Sequence, residues 1–227
     1  TRLFDEILKL LMSGYSWAAI QGLQEVGLHH GLLPLLDHIL DDSENAIGAN
    51  AFVKLALANT DQRIQSGKSV SAGFLFATLL WPDLLKNWKT NLAKGMANIP
   101  ALQDAMDETI ASQSSGMTIQ RRFESDMREI WSMQPRFERR VGRYPYRLIE
   151  MPRFRAGYDF MLLRCATGEQ SPALGEWWTS FIAADPVGQE ALMASAKTEL
   201  GNTANSPTKR RRRRKPKPTT PIEASSS

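Results

Sequence analysis

The stretch VSAGFLFATLLW, Val70 to Trp81, decides how this chain is read. It is the longest apolar run in the sequence. A helix that spans a bilayer needs about 20 such residues, so a run this short predicts a buried core helix over 70–80. Trp81-Pro82 then predicts the start of the next helix, because proline suits a first helical turn. Upstream lies a polar loop, roughly Asp61 to Ser69, and before it a long helix that Ser43 can cap, running through Ala58.

Working outward, apolar residues recur mostly at spacings of three and four, which is the period of a helix. Leu3, Phe4, Ile7, Leu8 and Leu11 line one face of a first helix that stops at Ser13-Gly14. Ser16 can cap a second, and a short third follows Pro34. Downstream, helices are expected over Ala101 to Ala111 and from a Thr118 cap to about Met133. Pro152 is expected to open another, and Ser171-Pro172 and Asp185-Pro186 to open the last two. There is no alternating strand pattern and no fixed-period repeat. The expectation is an all-α protein of about ten irregularly packed helices. After Gly201 the sequence turns polar, charged and proline-rich, which predicts a disordered basic tail.

Of 227 residues, 42% are hydrophobic, enough for a sizeable core. Cys165 is the single cysteine, so no internal disulfide can form. With no visible signal peptide, a reducing cytoplasm is the expected location. The formal charge of +4 is unevenly spread. From Asn205 onward there are eight basic residues and one acid. Between Arg121 and Arg164 there are eleven arginines, six acids and no lysine. The rest of the chain is acidic.

Motifs for chemistry are scarce. QSGKSV, Gln65 to Val70, holds the end of a phosphate-binding loop, but the motif needs a glycine where Gln62 stands. It reads as a connection between helices. Glu124 and Asp126 have a spacing that holds magnesium on a strand; on a helix, residues two apart diverge, and pairing with Arg121, Arg122 and Arg128 on a solvated face is the expectation. His29, His30 and His38 have no ligand cluster around them, and Cys165 reads as a packing residue. No catalytic residue is expected in this chain, and no metal ligand.

Arginines recur through WSMQPRFERRVGRYPYRLIEMPRFRAGYDFMLLR, Trp131 to Arg164, with Phe137, Tyr144, Tyr146, Phe154 and Tyr158 between them. Arginine offers phosphate a planar fork and stacks on bases. If the segment is helical, Arg136, Arg139, Arg140 and Arg143 share one face and track a phosphate backbone. The competing reading pairs these arginines with Glu138, Glu150 and Asp159 and puts Phe154 and Tyr158 in the core. Arg210, Arg211, Arg212, Arg213 and Arg214 continue the same chemistry in the tail. A localisation signal, an acidic protein partner and plain solubility are alternatives there.

Four segments in order carry a family resemblance: RLFDEILKLLMSGY (2–15), GKSVSAGFLFATLLW (67–81), REIWSMQPRFERRVGR (128–143) and MPRFRAGYDFMLLR (151–164). With Trp177-Trp178 and the arginine-rich end, they resemble the C-terminal part of bacterial poly(A) polymerases, of the nucleotidyltransferase group that includes the CCA-adding enzymes. The resemblance implies a remainder of a helical neck over 1–60, an RNA-binding body over 61–200 and a tail over 201–227. It implies RNA contacts at Arg136, Arg139, Arg140, Arg143, Arg153, Arg155 and the tail arginines, and a DEAD-box RNA helicase as a further partner. Magnesium and ATP would belong to a catalytic head whose motifs this chain lacks. There the RNA 3′ hydroxyl would attack the α-phosphate of ATP. A CCA-adding relative and a non-catalytic helical scaffold are the alternatives. Three departures stand out: Met151 where the family has histidine, Tyr144 where a second basic residue often follows Arg143, and Gly157 for a usual alanine. The last is expected to weaken its helix by about 0.5–1 kcal/mol.

Overall fold

A computed structural model describes residues 2–27, 47–113 and 119–204. The expected helix after Pro34, the three histidines and the arginine-rich tail lie outside the described residues. Within them the chain forms eleven α-helices, one 3-10 turn and no strand. They are α1 (Arg2–Leu11), α2 (Ser16–Glu25), α3 (Ile47–Gln65), α4 (Ala72–Leu79) and α5 (Trp81–Ala93). Next come α6 (Asn98–Gln113), α7 (Arg121–Met133) and, after the 3-10 turn Gln134–Arg136, α8 (Tyr144–Ile149). The last three are α9 (Phe154–Ala166), α10 (Pro172–Ala183) and α11 (Pro186–Ala204).

The deciding stretch is the most deeply buried helix of the fold. Every residue from Leu75 to Trp81 is buried. Ser71 caps α4 by accepting from the backbone N–H of Phe74, and α5 begins at once with Trp81-Pro82. No helix among the described residues is long and apolar enough to cross a membrane.

Several boundaries differ from the sequence expectation, each for a local reason. The polar loop expected from Asp61 begins later, after Gln65, because α3 continues to that residue. Asp61 accepts from the backbone N–H and hydroxyl of Ser16 at 3.0 Å, and the Gln65 amide donates to the Gly14 carbonyl at 2.6 Å. Asp61 and Gln65 thus hold the α1–α2 turn, while Gln62 and Arg63 remain exposed. Beyond the helix end the chain turns at Gly67, whose φ of +70° glycine adopts without strain. Helix α7 starts at Arg121, so Thr118 is not its cap; Gln120 is, without a side-chain hydrogen bond. The residues Pro152-Arg153 form a turn ahead of α9. Asp185 caps α11 through the Gly188 N–H at 2.8 Å, and that helix runs past Gly201 to Ala204. Helix α8 has no counterpart in the sequence reading.

Two apolar clusters form the core. One is built on Phe76, Trp81, Leu84, Trp131 and Phe160. The other is built on Phe137, Met161, Trp178 and Phe181. Helix α9 belongs to both, giving Phe160 and Leu163 to the first and Tyr158, Met161 and Cys165 to the second. Buried indoles also need a hydrogen-bond acceptor. Trp131 donates to the Ala77 carbonyl at 3.0 Å, Trp178 to the Phe137 carbonyl at 2.9 Å and Trp177 to the Leu192 carbonyl at 3.2 Å. Each of these bonds joins different elements, so the tryptophans fix helix placement as well as fill space.

Candidate nucleic-acid interface

The arginine-rich segment begins at a pinned point. Gln134, 1% exposed, donates to the carbonyls of Ile130 (3.0 Å) and Gly157 (3.2 Å) and accepts from Arg164 (3.2 Å). A buried amide satisfied on both ends fixes where the chain leaves α7. Pro135 then permits only a tight 3-10 turn. Phe137 is fully buried against Trp178, 5.1 Å between ring centres. Gly142, with φ +66°, turns the chain again, and Pro145 and Leu148 anchor α8 in the core.

The segment from 137 to 143 is therefore not helical, and the expected arginine stripe along one helix face does not form. A looped presentation takes its place. Arg136, Arg139, Arg143 and Arg147 are exposed and make no ion pair among the described residues. Arg136 reaches only the sulfur of Met151, at 3.5 Å. Arg139 lies over the Tyr144 ring, 5.0 Å from its centre. Pairing with Glu138 and Glu150 does not occur; Glu138 accepts from Gln170 instead. Arg147, absent from the set implied by family resemblance, joins these free cations. Its signal in the sequence was its place in the recurring arginine series.

The other expected positions are engaged. Arg140 is half-buried over Trp177, 5.8 Å from the ring centre, and its Nη2 donates to Glu199 at 3.4 Å. Its Nε is buried without a partner. Arg153 pairs with Asp126 at 2.6 Å, and Arg155 with Asp159 at 3.1 Å. Both line a groove of about 740 Å³ between α3, the 69–71 segment and α9, floored by Leu55, Phe74 and Leu163 and rimmed also by Arg63. Tyr158 is buried and stacks on the half-buried Phe154, 6.0 Å apart, as a core pair.

Glu124 and Asp126 do diverge. Glu124 pairs with Arg128 at 3.1 Å, whose other nitrogen meets Asp107 at 2.7 Å. Asp126 turns inward to Arg153 with its side chain 17% exposed, so a solvated face shared with Arg121 and Arg122 is not what forms. Arg122 instead lies over Phe123. With both carboxylates committed to arginines, the pair does not fit a magnesium site. No group of three or more acidic, histidine or cysteine side chains that could hold a metal occurs among the described residues. Cys165 packs on Met161 and Ser171, and burial raises its thiol above the ordinary value.

This architecture defines an all-helical, arginine-presenting module: two tryptophan-bonded cores hold a short loop from which free guanidinium groups project. Residues 94–217 match the family described as polymerase A arginine-rich C-terminus. Residues 1–40 match that described as probable RNA and SrmB-binding site of polymerase A. The chain is 31% identical over 223 residues to poly(A) polymerase I of Salmonella typhimurium, covering 97% of this chain and 46% of that protein. It is 30% identical to that of Escherichia coli O157:H7 over the same shares, and 31% identical over 196 residues to that of Haemophilus influenzae. The chain belongs to the poly(A) polymerase family. It spans just under half the length of these relatives.

Proposed function

We propose that this chain holds RNA for a polymerase that adds adenylates from ATP to RNA 3′ ends in the cytoplasm. The observation that carries the reading is the set of four exposed arginines left without carboxylate partners among the described residues: 136, 139 and 143 along a loop fixed at Gln134, Phe137 and Pro145, and 147 on the short helix α8 that follows it. Unpaired guanidinium groups on a fixed loop are a standing site for a polyanion, and phosphate meets the arginine fork well. The tail arginines, 210–214, extend the same charge along the chain. ATP and magnesium would be bound by a catalytic portion with its own carboxylates. This chain's part is to keep the RNA strand nearby and oriented. Its poly(A) polymerase relatives favour adenylate addition over CCA addition.

A second partner is favoured by the N-terminal match, whose description names a helicase as well as RNA. Tyr15 and Val26, 67% and 66% exposed, flank α2 within that region and offer apolar contact to a helicase surface.

RNA binding by the 227-residue chain, measured across a salt series, tests the reading. Replacing Arg136, Arg139 and Arg143 together by alanine removes three phosphate contacts. The log–log salt slope for a single strand should flatten by about 2, at about 0.7 per contact. An unchanged slope would remove the loop from the RNA path.

A further inference from the structure

Tyr144 is a large aromatic residue left 53% exposed in the middle of the free arginines. It follows Arg143 directly, and the Arg139 guanidinium covers one side of its ring at 5.0 Å. Its neighbour Pro145 is buried, so the backbone that carries the ring is anchored. Among the described residues no other ring contacts it. An exposed aromatic side chain gains nothing from core burial. A guanidinium on one face limits the ring's motion and leaves the other face open.

We infer that Tyr144 is a stacking position for one unpaired RNA base, backed by Arg139 and flanked by arginines that take the adjoining phosphates. The inference rests on the RNA-holding reading above. Every base has a π face, so stacking of this kind tolerates any sequence and favours single strands, whose bases are free to splay out. An acidic peptide would satisfy the arginines without using the ring.

The test compares oligo(A) with an abasic oligonucleotide of equal length, which keeps the phosphates and lacks the bases. Binding to the 227-residue chain is followed by fluorescence anisotropy. Tyr144→Ala should weaken oligo(A) binding about tenfold, leave abasic binding unchanged and leave the salt slope unchanged. Tyr144→Phe should bind like the parent, which also separates loss of stacking from misfolding. Equal loss on both strands would make Tyr144 a prop for Arg139, and no loss on either would make it idle; both overturn the inference. If the arginine triple variant loses affinity while Tyr144→Ala does not, the stacking idea falls and RNA holding stands. If the parent chain binds neither strand, RNA holding itself falls.

Discussion

The guanidinium of Arg164 lies 4.8 Å from the centre of the Trp81 ring. Both side chains also meet Glu169: Arg164 Nε donates to Oε1 at 2.8 Å, and Trp81 Nε1 donates to Oε2 at 2.7 Å. Arg164 therefore serves a different end from the free arginines earlier in the sequence. Its side chain is 5% exposed, and it reaches Gln134, where the arginine loop begins. One buried cation thus ties α9, the first core and the root of the candidate interface together.

Removing Arg164 leaves the Glu169 carboxylate without its counter-ion, held by the Trp81 N–H alone, and the Gln134 carbonyl oxygen without its donor. Breaking a buried pair from one side costs roughly 3–5 kcal/mol. Glu169 keeps some solvent contact, with its side chain 20% exposed, so Arg164→Ala should cost about 3 kcal/mol. Arg164→Lys should recover only part, because an ammonium cannot fork to both partners. Urea unfolding followed by tryptophan fluorescence reads both. A loss under about 1 kcal/mol for the alanine variant would show that the pair contributes little.

Glycine at 73 sets how closely α4 and α7 approach. A Cβ there would lie 2.5 Å from the Asp126 Cβ, an atom that cannot move without its helix. Gly73→Ala should therefore destabilise by about 1–3 kcal/mol and loosen the Asp126–Arg153 pair. Gly157→Ala should behave differently. Its Cβ meets the Met133 sulfur at 2.7 Å, part of a flexible side chain packed in the second core. The helix gains about 0.5–1 kcal/mol from alanine, and the methionine shift offsets it, so the net change should be near zero. Parallel chemical unfolding of the two variants checks the contrast.

Helix class and order were legible in the sequence because most helices announce themselves by local chemistry. The apolar run marks α4, Pro82 opens α5, and Asp185-Pro186 starts α11. What was illegible depended on distant partners. Asp61 and Gln65 look like loop residues until Ser16 and Gly14 are seen against them. The arginines divide in the same way. Sequence spacing treats Arg140 and Arg143 alike, yet Trp177 and Glu199 engage the first and nothing described engages the second. Whether an arginine is free depends on its tertiary neighbours, while its charge and number can be read directly. The helical stripe failed locally: Pro135 and Gly142 break the period on which it depended.

Cys165 should make stability fall at alkaline pH. Burial holds its thiol protonated and raises its value above that of an unfolded thiol. A group whose folded value is raised stabilises fully below its unfolded value, about 8.5, and that stabilisation is lost as pH rises through the folded value. Lysine and tyrosine titrate in the same window, so the comparison is with Cys165→Ala. The parent's stability should drop relative to that variant as pH rises above about 9. Thiol labelling of the native parent near neutral pH should also be slow and speed up on unfolding. Fast labelling under native conditions would contradict a buried, protonated thiol.

Arg140 and the tail together test whether a structural arginine can be told from a binding one. The Glu199 partner of Arg140 is 64% exposed, so the pair is worth little. Loss of Arg140 also removes a buried nitrogen that has no partner. Arg140→Ala should change stability by less than about 1 kcal/mol and leave the RNA salt slope unchanged. Deleting residues 207–218, which removes Arg210 to Arg214 and three lysines, should act in the opposite sense. Stability should hold, while the slope flattens by about 0.7 for each phosphate that the tail had neutralised. If the loop and the tail meet separate phosphates, as proposed, the deletion and the Arg136, Arg139 and Arg143 triple variant should add in slope. If the tail deletion leaves the slope untouched, its charge serves a protein partner, and the loop alone meets the phosphates.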